Sequence, residues 1–405
     1  MISESKEGLT EMLHDLSEFS DKNGLKINVD KTKCMDFNKT GRHIRCNIKI
    51  NNMTITSVRE YKYLGFLVTP SGEVLTGIND LKSRALYALV QLRKKLGINF
   101  RENIKISFYL FDSLVKPIML YCSDFWGPLC IDKKAPSEML PKRNVIDLVH
   151  MKFLKQLLGV QTQTSNLGVL LETGRVPLLT YAIKNSIKNW YRIDILNECN
   201  TVTKLSFQNI VDKDFEWYRN IKKILNNIGL GNILIGDSTN PEVEVFKRLV
   251  DIFHQHAFGE ISNESSKLRT YSLLKKEAGQ EPYLKVVKNT KDRISMTKFR
   301  LSNHILMIEK GRHLNLRKED RKCPFCDAYE DEMHFLLHCY TYSNLRETLM
   351  VNAEEKLNEQ LNRHADETIM TYLLGNTKIS PIVAKYLRRT MELRDFLIDR
   401  PKQPN

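Results

Sequence analysis

The sequence has no apolar run approaching the eighteen residues that a membrane-spanning helix needs, so a helical membrane span is not expected. No basic, apolar leader follows Met1; the chain continues Ile2-Ser3-Glu4-Ser5-Lys6-Glu7, so secretion is not expected. Cysteine is scarce, eight in 405 residues, too few for a disulfide scaffold. There is no internal repeat and no low-complexity tract. What remains is a chain 42% hydrophobic and 27% charged, long enough for two or three domains with a sizeable core. The expected setting is intracellular, cytoplasmic and/or nuclear.

Charge of one sign is in excess. Lys and Arg number 62 against 48 Asp and Glu, for a net charge of +14. More than half of that excess sits between Lys285 and Lys322, where twelve basic residues face four acidic ones. Phe299, Leu301, Ile305, Leu306 and Ile308 are interleaved there, so the stretch reads as folded. A folded basic surface suits a polyanion, and RNA or DNA is the expected partner, with Lys298, Arg300 and Arg312 as candidate contacts. The plainer alternative is a solvated helix face.

Periodicity gives a short mixed region followed by helices. Leu9, Met12, Leu13, Leu16 and Phe19 fall on one helical face, closed by Asn23-Gly24. Leu25 to Val29 alternates as a strand, Cys34 to Phe37 continues extended, Asn51-Asn52 marks a hairpin, and Tyr61 to Val68 is a further strand. Beyond these, helices are expected at 78–96, 104–115, 145–158, 177–195, 243–257 and 381–397. The fold class is therefore α+β and mostly helical: a small antiparallel sheet at the N-terminus, helical middle segments, and a small finger near the C-terminus.

Three of the eight cysteines fall within seventeen residues. Cys323-Pro324-Phe325-Cys326 precedes His334, His338 and Cys339. Two cysteines two apart can turn both thiolates toward one ion, and a later pair can close a tetrahedron of sulfur and nitrogen, the geometry zinc prefers. The fourth ligand is Cys339 or His338 on spacing alone. Two reduced cysteines beside unrelated histidines is the bland reading. The His254 and His256 pair has no such partners and reads as an ordinary helix face.

The order of motifs resembles the C-terminal half of reverse transcriptases from non-LTR (LINE-type) retrotransposons. Gly24-Leu25-Lys26-Ile27-Asn28-Val29-Asp30-Lys31-Thr32 matches that family's strand after the catalytic hairpin, and Tyr63-Leu64-Gly65 its next turn. Lys116-Pro117-Ile118-Met119-Leu120-Tyr121-Cys122-Ser123-Asp124-Phe125-Trp126 is similar to the thumb signature, with Cys122 where Gly is usual. Segments 153–160, 172–178, 300–304 and 309–312 then lead to the cysteine cluster in the family's order.

The resemblance implies a palm remnant (1–70), a helical thumb (71–160), a helical connection (161–284), a basic segment with a CCHC zinc finger (285–345) and closing helices (346–405). It assigns Lys31 to the incoming nucleotide's phosphates, Tyr63, Leu64 and Gly65 to the primer grip, and Lys26 and Lys33 to supporting phosphate contacts. It selects Cys323, Cys326, His334 and Cys339 as the ligands of a structural Zn²⁺. Polymerisation needs carboxylates holding Mg²⁺, and no two aspartates are adjacent in this sequence. The expectation is a truncated polymerase that binds RNA and DNA without catalytic residues of its own, Mg²⁺ belonging only to an intact parent enzyme. The alternative is a domesticated zinc-finger adaptor for a protein partner, favoured if Phe335 and Leu336 are exposed.

Overall fold

A computed structural model describes residues 1–131, 144–195, 200–263 and 267–399. It is mostly helical with a few short strands, the expected α+β class. Two compact units divide the chain: Met1–Tyr87 with Ile118–Cys122, and Ala88–Pro117 with Ser123–Asn405. Among the described residues no helix is long and apolar enough to cross a membrane.

The smaller unit begins with α1 (Lys6–Lys22), whose N-terminus is capped by the Ser5 hydroxyl accepting from the Gly8 amide at 3.0 Å. The helix ends at Asn23, and Gly24 follows at a φ of 67°. Only Leu13 of its expected apolar face is buried; Met12, Leu16 and Phe19 are exposed. Leu13 packs with Cys34, Ile48, Ile50 and Ile55 in a small core.

The strands differ from one antiparallel sheet. They form three two-stranded ladders. β1 (Lys33–Cys34) pairs in parallel with β4 (Thr56–Ser57). β2 (Lys49–Ile50) and β3 (Met53–Thr54) form the hairpin expected at Asn51-Asn52, both of whose φ values are positive, as a tight two-residue turn requires. β5 (Tyr61–Tyr63) and β6 (Phe66–Val68) form a second hairpin across the expected strand. No strand forms over Leu25–Val29, because Asn28 folds the chain back. Its side-chain oxygen accepts from the Lys31 amide at 3.0 Å, and its carbonyl accepts from the Thr32 hydroxyl at 2.8 Å.

Helix α2 (Val74–Leu96) buries Ile78, Leu81, Ala85, Leu89 and Leu92 as its periodicity predicts. In the larger unit α3 (Ile104–Leu110) continues into a wide turn, Phe111–Val115, just before Pro117, which has no amide hydrogen to give Ser113. Then come α4 (Val145–Leu158), α5 (Asn166–Thr173), α6 (Leu178–Asp194) and α7 (Pro241–Ile261). α8 (Thr290–Arg300) and α9 (Ser380–Asp399) pack together and flank the cysteine cluster. Trp126, Trp190, Phe111, Phe153, Phe299 and Phe335 are fully buried in this unit.

A buried ionic cluster sits inside the larger unit. The Arg300 guanidinium meets Glu172 at 2.8 Å and Glu281 at 2.5 Å, and it donates to the Leu374 carbonyl at 2.7 Å. The Tyr283 hydroxyl completes Glu172 at 2.7 Å. With the ions paired and hydrogen-bonded together, their desolvation is offset.

Candidate metal centre and exposed basic positions

The cysteine cluster is built by two tight local turns. Lys322 and Tyr329 form a single antiparallel bridge, and the Cys323 amide donates to the Ala328 carbonyl at 2.7 Å. Asp327 turns the chain at a φ of 57°, so the Cys323 and Cys326 thiols converge. The second turn, His334–His338, is a π-type turn closed by the Cys339 amide on the His334 carbonyl at 2.9 Å. Its start is fixed by the Asp331 carboxylate, which accepts from the His334 amide at 2.8 Å.

One donor atom from each of Cys323, Cys326, His334 and Cys339 lies within 4.8 Å of all the others. Cys323 and Cys339 stand 3.8 Å apart, sulfur to sulfur, and the Cys326 sulfur is 3.2 Å from His334 Nε2. A tetrahedral ion with metal–sulfur bonds of about 2.3 Å has sulfur–sulfur edges of about 3.8 Å. The cluster can hold a metal ion.

Burial pushes the Cys323 thiol up to about 12, so a buried cation is what would favour its thiolate. Burial also lowers His334, keeping the imidazole neutral and able to ligate. The open choice of fourth ligand falls to Cys339. The extra residue in the π-type turn carries position 339 to the face of His334. His338 is exposed and pairs with Asp366 at 3.1 Å.

The knuckle is anchored on both sides by residues that sequence reasoning passed over. Glu330 meets Arg394 at 2.7 Å, and Glu332 meets Arg269 at 2.7 Å and His304 at 2.9 Å. Burial alone would raise Glu332, but the His304 contact and the Arg269 charge bring it down to about 2. Alternating acids in a polar loop read as solvated, and no local signal marks them as buried. Phe335 and Leu336 are fully buried, Phe335 lying 5.7 Å from Phe299 and 5.0 Å from Tyr342 between ring centroids.

The other predicted positions separate by exposure. Lys26, Lys31 and Lys33 are exposed on the smaller unit, with Lys31 in the turn organised by Asn28. Tyr63 and Leu64 are 62% and 74% exposed at the tip of the β5–β6 hairpin. Leu64 and Gly65 both have positive φ, 46° and 90°, an unfavourable conformation for leucine. The tip is braced by Arg84, which donates to the Gly65 carbonyl at 2.8 Å, and by the Tyr121 hydroxyl on the Leu64 carbonyl. Cys122, where the resembling family has glycine, has a φ of 52°, the region glycine occupies without strain.

In the larger unit Lys298 is half-buried and Arg312 exposed, beside Glu309 at 3.5 Å. Arg300, expected on a nucleic-acid surface, is fully buried among Glu172 and Glu281. Arg293 is also buried and donates to the Val287 carbonyl at 2.9 Å, while Arg321 donates to that of Leu316 at 3.0 Å. Part of the basic excess between 285 and 322 therefore binds the chain to itself.

The structure thus defines a mostly helical chain whose larger unit carries a three-cysteine, one-histidine cluster that could hold a metal ion. Compared with protein-family models, curated proteins and solved structures, the chain matches none.

Proposed function

We propose that this chain is the nucleic-acid-binding C-terminal portion of a non-LTR retrotransposon reverse transcriptase, binding RNA and DNA, with a structural zinc ion on Cys323, Cys326, His334 and Cys339. The observation that carries the reading is the β5–β6 hairpin tip. Tyr63-Leu64-Gly65 is a strained, braced turn that presents Tyr63 and Leu64 to solvent, and strain concentrates where a site needs it. A turn with that sequence is what the resemblance assigns to primer contact.

Zinc suits the four donors because it accepts sulfur and nitrogen tetrahedrally, and four protein ligands leave no position open for catalysis. The sequence has no adjacent Asp pair, so phosphoryl-transfer chemistry with Mg²⁺ is assigned to an intact parent enzyme. Binding through Lys26, Lys31, Lys33, Lys298 and Arg312 is expected to be salt-sensitive and weakly sequence-specific, because phosphate contacts dominate it.

The test is a filter-binding titration of the full chain with RNA and with DNA at low salt. Saturable binding whose affinity falls steeply with added salt supports the reading, and no affinity for either nucleic acid rejects it. The adaptor alternative loses the feature that favoured it, since Phe335 and Leu336 are core residues.

A further inference from the structure

In the larger unit, away from the cysteine cluster, three cations are gathered on aromatic rings. The Lys116 ammonium lies 3.2 Å from the centre of the Tyr181 ring, and that of Lys184 lies 5.3 Å from the centre of Phe246. Those two rings pack against each other at 4.9 Å. The Arg175 guanidinium sits 4.3 Å over Phe108. Among the described residues the one carboxylate paired with the group is Asp112, and it is engaged by Arg175 at 2.7 Å. Among the described residues neither lysine has an ion-pair partner. Behind them His150 is 1% exposed, stacked on Phe111 at 5.4 Å, with both ring nitrogens unpartnered.

This arrangement is electrostatically unfavourable as it stands. Desolvation foremost, with Arg175 and Lys184 acting the same way and only Asp112 opposing, lowers Lys116 to about 8. Burial, with Arg175 and Lys116, pushes His150 well below its ordinary value. Lys116, Arg175 and Lys184 are each half-buried, and three neighbouring cations beside one acid repel one another there. An anion between them would relieve the repulsion and form charge-assisted hydrogen bonds. The rings hold the two ammonium groups in place, and the ammonium hydrogens that do not face a ring remain able to donate.

We propose that Lys116, Arg175 and Lys184 form a binding site for a phosphate group. That the phosphate belongs to a nucleic-acid backbone rests on the function proposed above; the site itself rests on the cations and rings alone.

The experiment is calorimetric titration of the full chain with inorganic phosphate at pH 7 and constant ionic strength. Saturable binding is expected, weakened about tenfold in both Lys116→Met and Lys184→Met, the loss of one charge-assisted hydrogen bond. Methionine keeps the packing on Tyr181 and removes an unfavourable charge, so Lys116→Met is expected to melt no lower than the parent chain, and this separates lost binding from lost fold. A titration that does not saturate, or one that both substitutions leave unchanged, overturns the proposal.

A second titration uses a single-stranded oligonucleotide at several salt concentrations. A salt slope reduced by about one in Lys116→Met identifies the ligand as backbone phosphate. An unchanged slope alongside lost phosphate binding identifies free phosphate as the ligand. Phosphate binding with no oligonucleotide affinity rejects the nucleic-acid reading and leaves the site standing.

Discussion

Glu330 in the cysteine knuckle and Arg394 in the closing helix α9 meet at 2.7 Å with about 1% of each side chain exposed. Glu330 also accepts the Met307 amide at 2.6 Å, so one carboxylate ties the knuckle to two other segments. Breaking a buried pair from one side leaves an uncompensated charge, at a cost of about 3–5 kcal/mol. Glu330→Gln and Arg394→Met are each expected to lower the unfolding free energy on that scale. The double variant is expected to lose less than the sum of the two. Denaturant unfolding of the three variants measures the coupling directly.

The assignment of Cys339 over His338 gives a stoichiometry test. Cys339→Ser is expected to abolish stable zinc retention, whereas His338→Ala, which removes only the exposed Asp366 contact, is expected to keep one zinc per chain. Chelation of the parent chain should also lower its melting temperature, because Phe335 of the knuckle is core for Phe299 and Tyr342. Elemental analysis after gel filtration, followed by thermal unfolding, checks both statements.

The parts of this molecule that sequence reveals are those specified locally. Gly159 closes α4 at a φ of 70°, Asn51-Asn52 turns a hairpin, and Cys323-x-x-Cys326 sets a knuckle, each within a few residues. The extended reading of Leu25–Val29 fails because Asn28 offers the backbone a competing set of hydrogen bonds, which hydrophobic alternation does not register. Arg300 misleads for the opposite reason. Its charge is visible in the sequence, but its partners Glu172 and Glu281 are 128 and 19 residues away. The cationic cluster at Lys116 is likewise assembled from four separate segments, and no spacing announces it.

Arg300 therefore separates a structural cation from surface ones. Arg300→Met is expected to destabilise the larger unit by several kcal/mol, since it leaves buried Glu172 unpaired. Lys31→Gln and Arg312→Gln lie on exposed positions and are expected to leave stability within about 0.5 kcal/mol. Each should reduce the salt slope of nucleic-acid binding by about one if it contacts a phosphate. Chemical unfolding and salt-dependent binding on the same three proteins distinguish the two kinds of residue.

Asp147 gives the pH dependence a defined sign. It is partly buried, and its desolvation raises it to about 7, although the Leu178 amide donates to it at 2.6 Å and opposes the shift. The folded chain therefore holds a proton that the unfolded chain releases at about 3.9. From this group, stability is greatest below that lower value and is lost as pH rises toward 7, by at most about 1.4 kcal/mol per pH unit. Glu332 works in the opposite sense and lower down, stability being lost as pH falls from its ordinary value toward about 2. Asp147→Asn keeps an acceptor for the Leu178 amide and removes the titration. The difference in melting temperature between parent and variant is expected to shift in the variant's favour between pH 5 and pH 7.5; a constant difference would show that Asp147 titrates normally.

The smaller unit is where the fold should open first. Its core is Leu13, Cys34, Ile48, Ile50 and Ile55, with few supporting side chains, while Phe19, Leu25, Phe37 and Ile44 are each more than half exposed. Its ladders are two or three residues long, so little backbone hydrogen bonding resists local opening. Between Leu25 and Arg45 the chain carries Lys26, Lys31, Lys33, Lys39 and Arg42 at exposed positions. α4 and α6 in the larger unit, by contrast, bury Phe153, Leu154, Trp190 and Tyr191. Brief digestion with trypsin at low ratio should therefore cut between Lys26 and Arg45 before any bond within α2, α4 or α6. Mass spectrometry of the earliest fragments reads the order. First cuts inside those helices would mean that the small core of the N-terminal unit is more stable than its packing indicates.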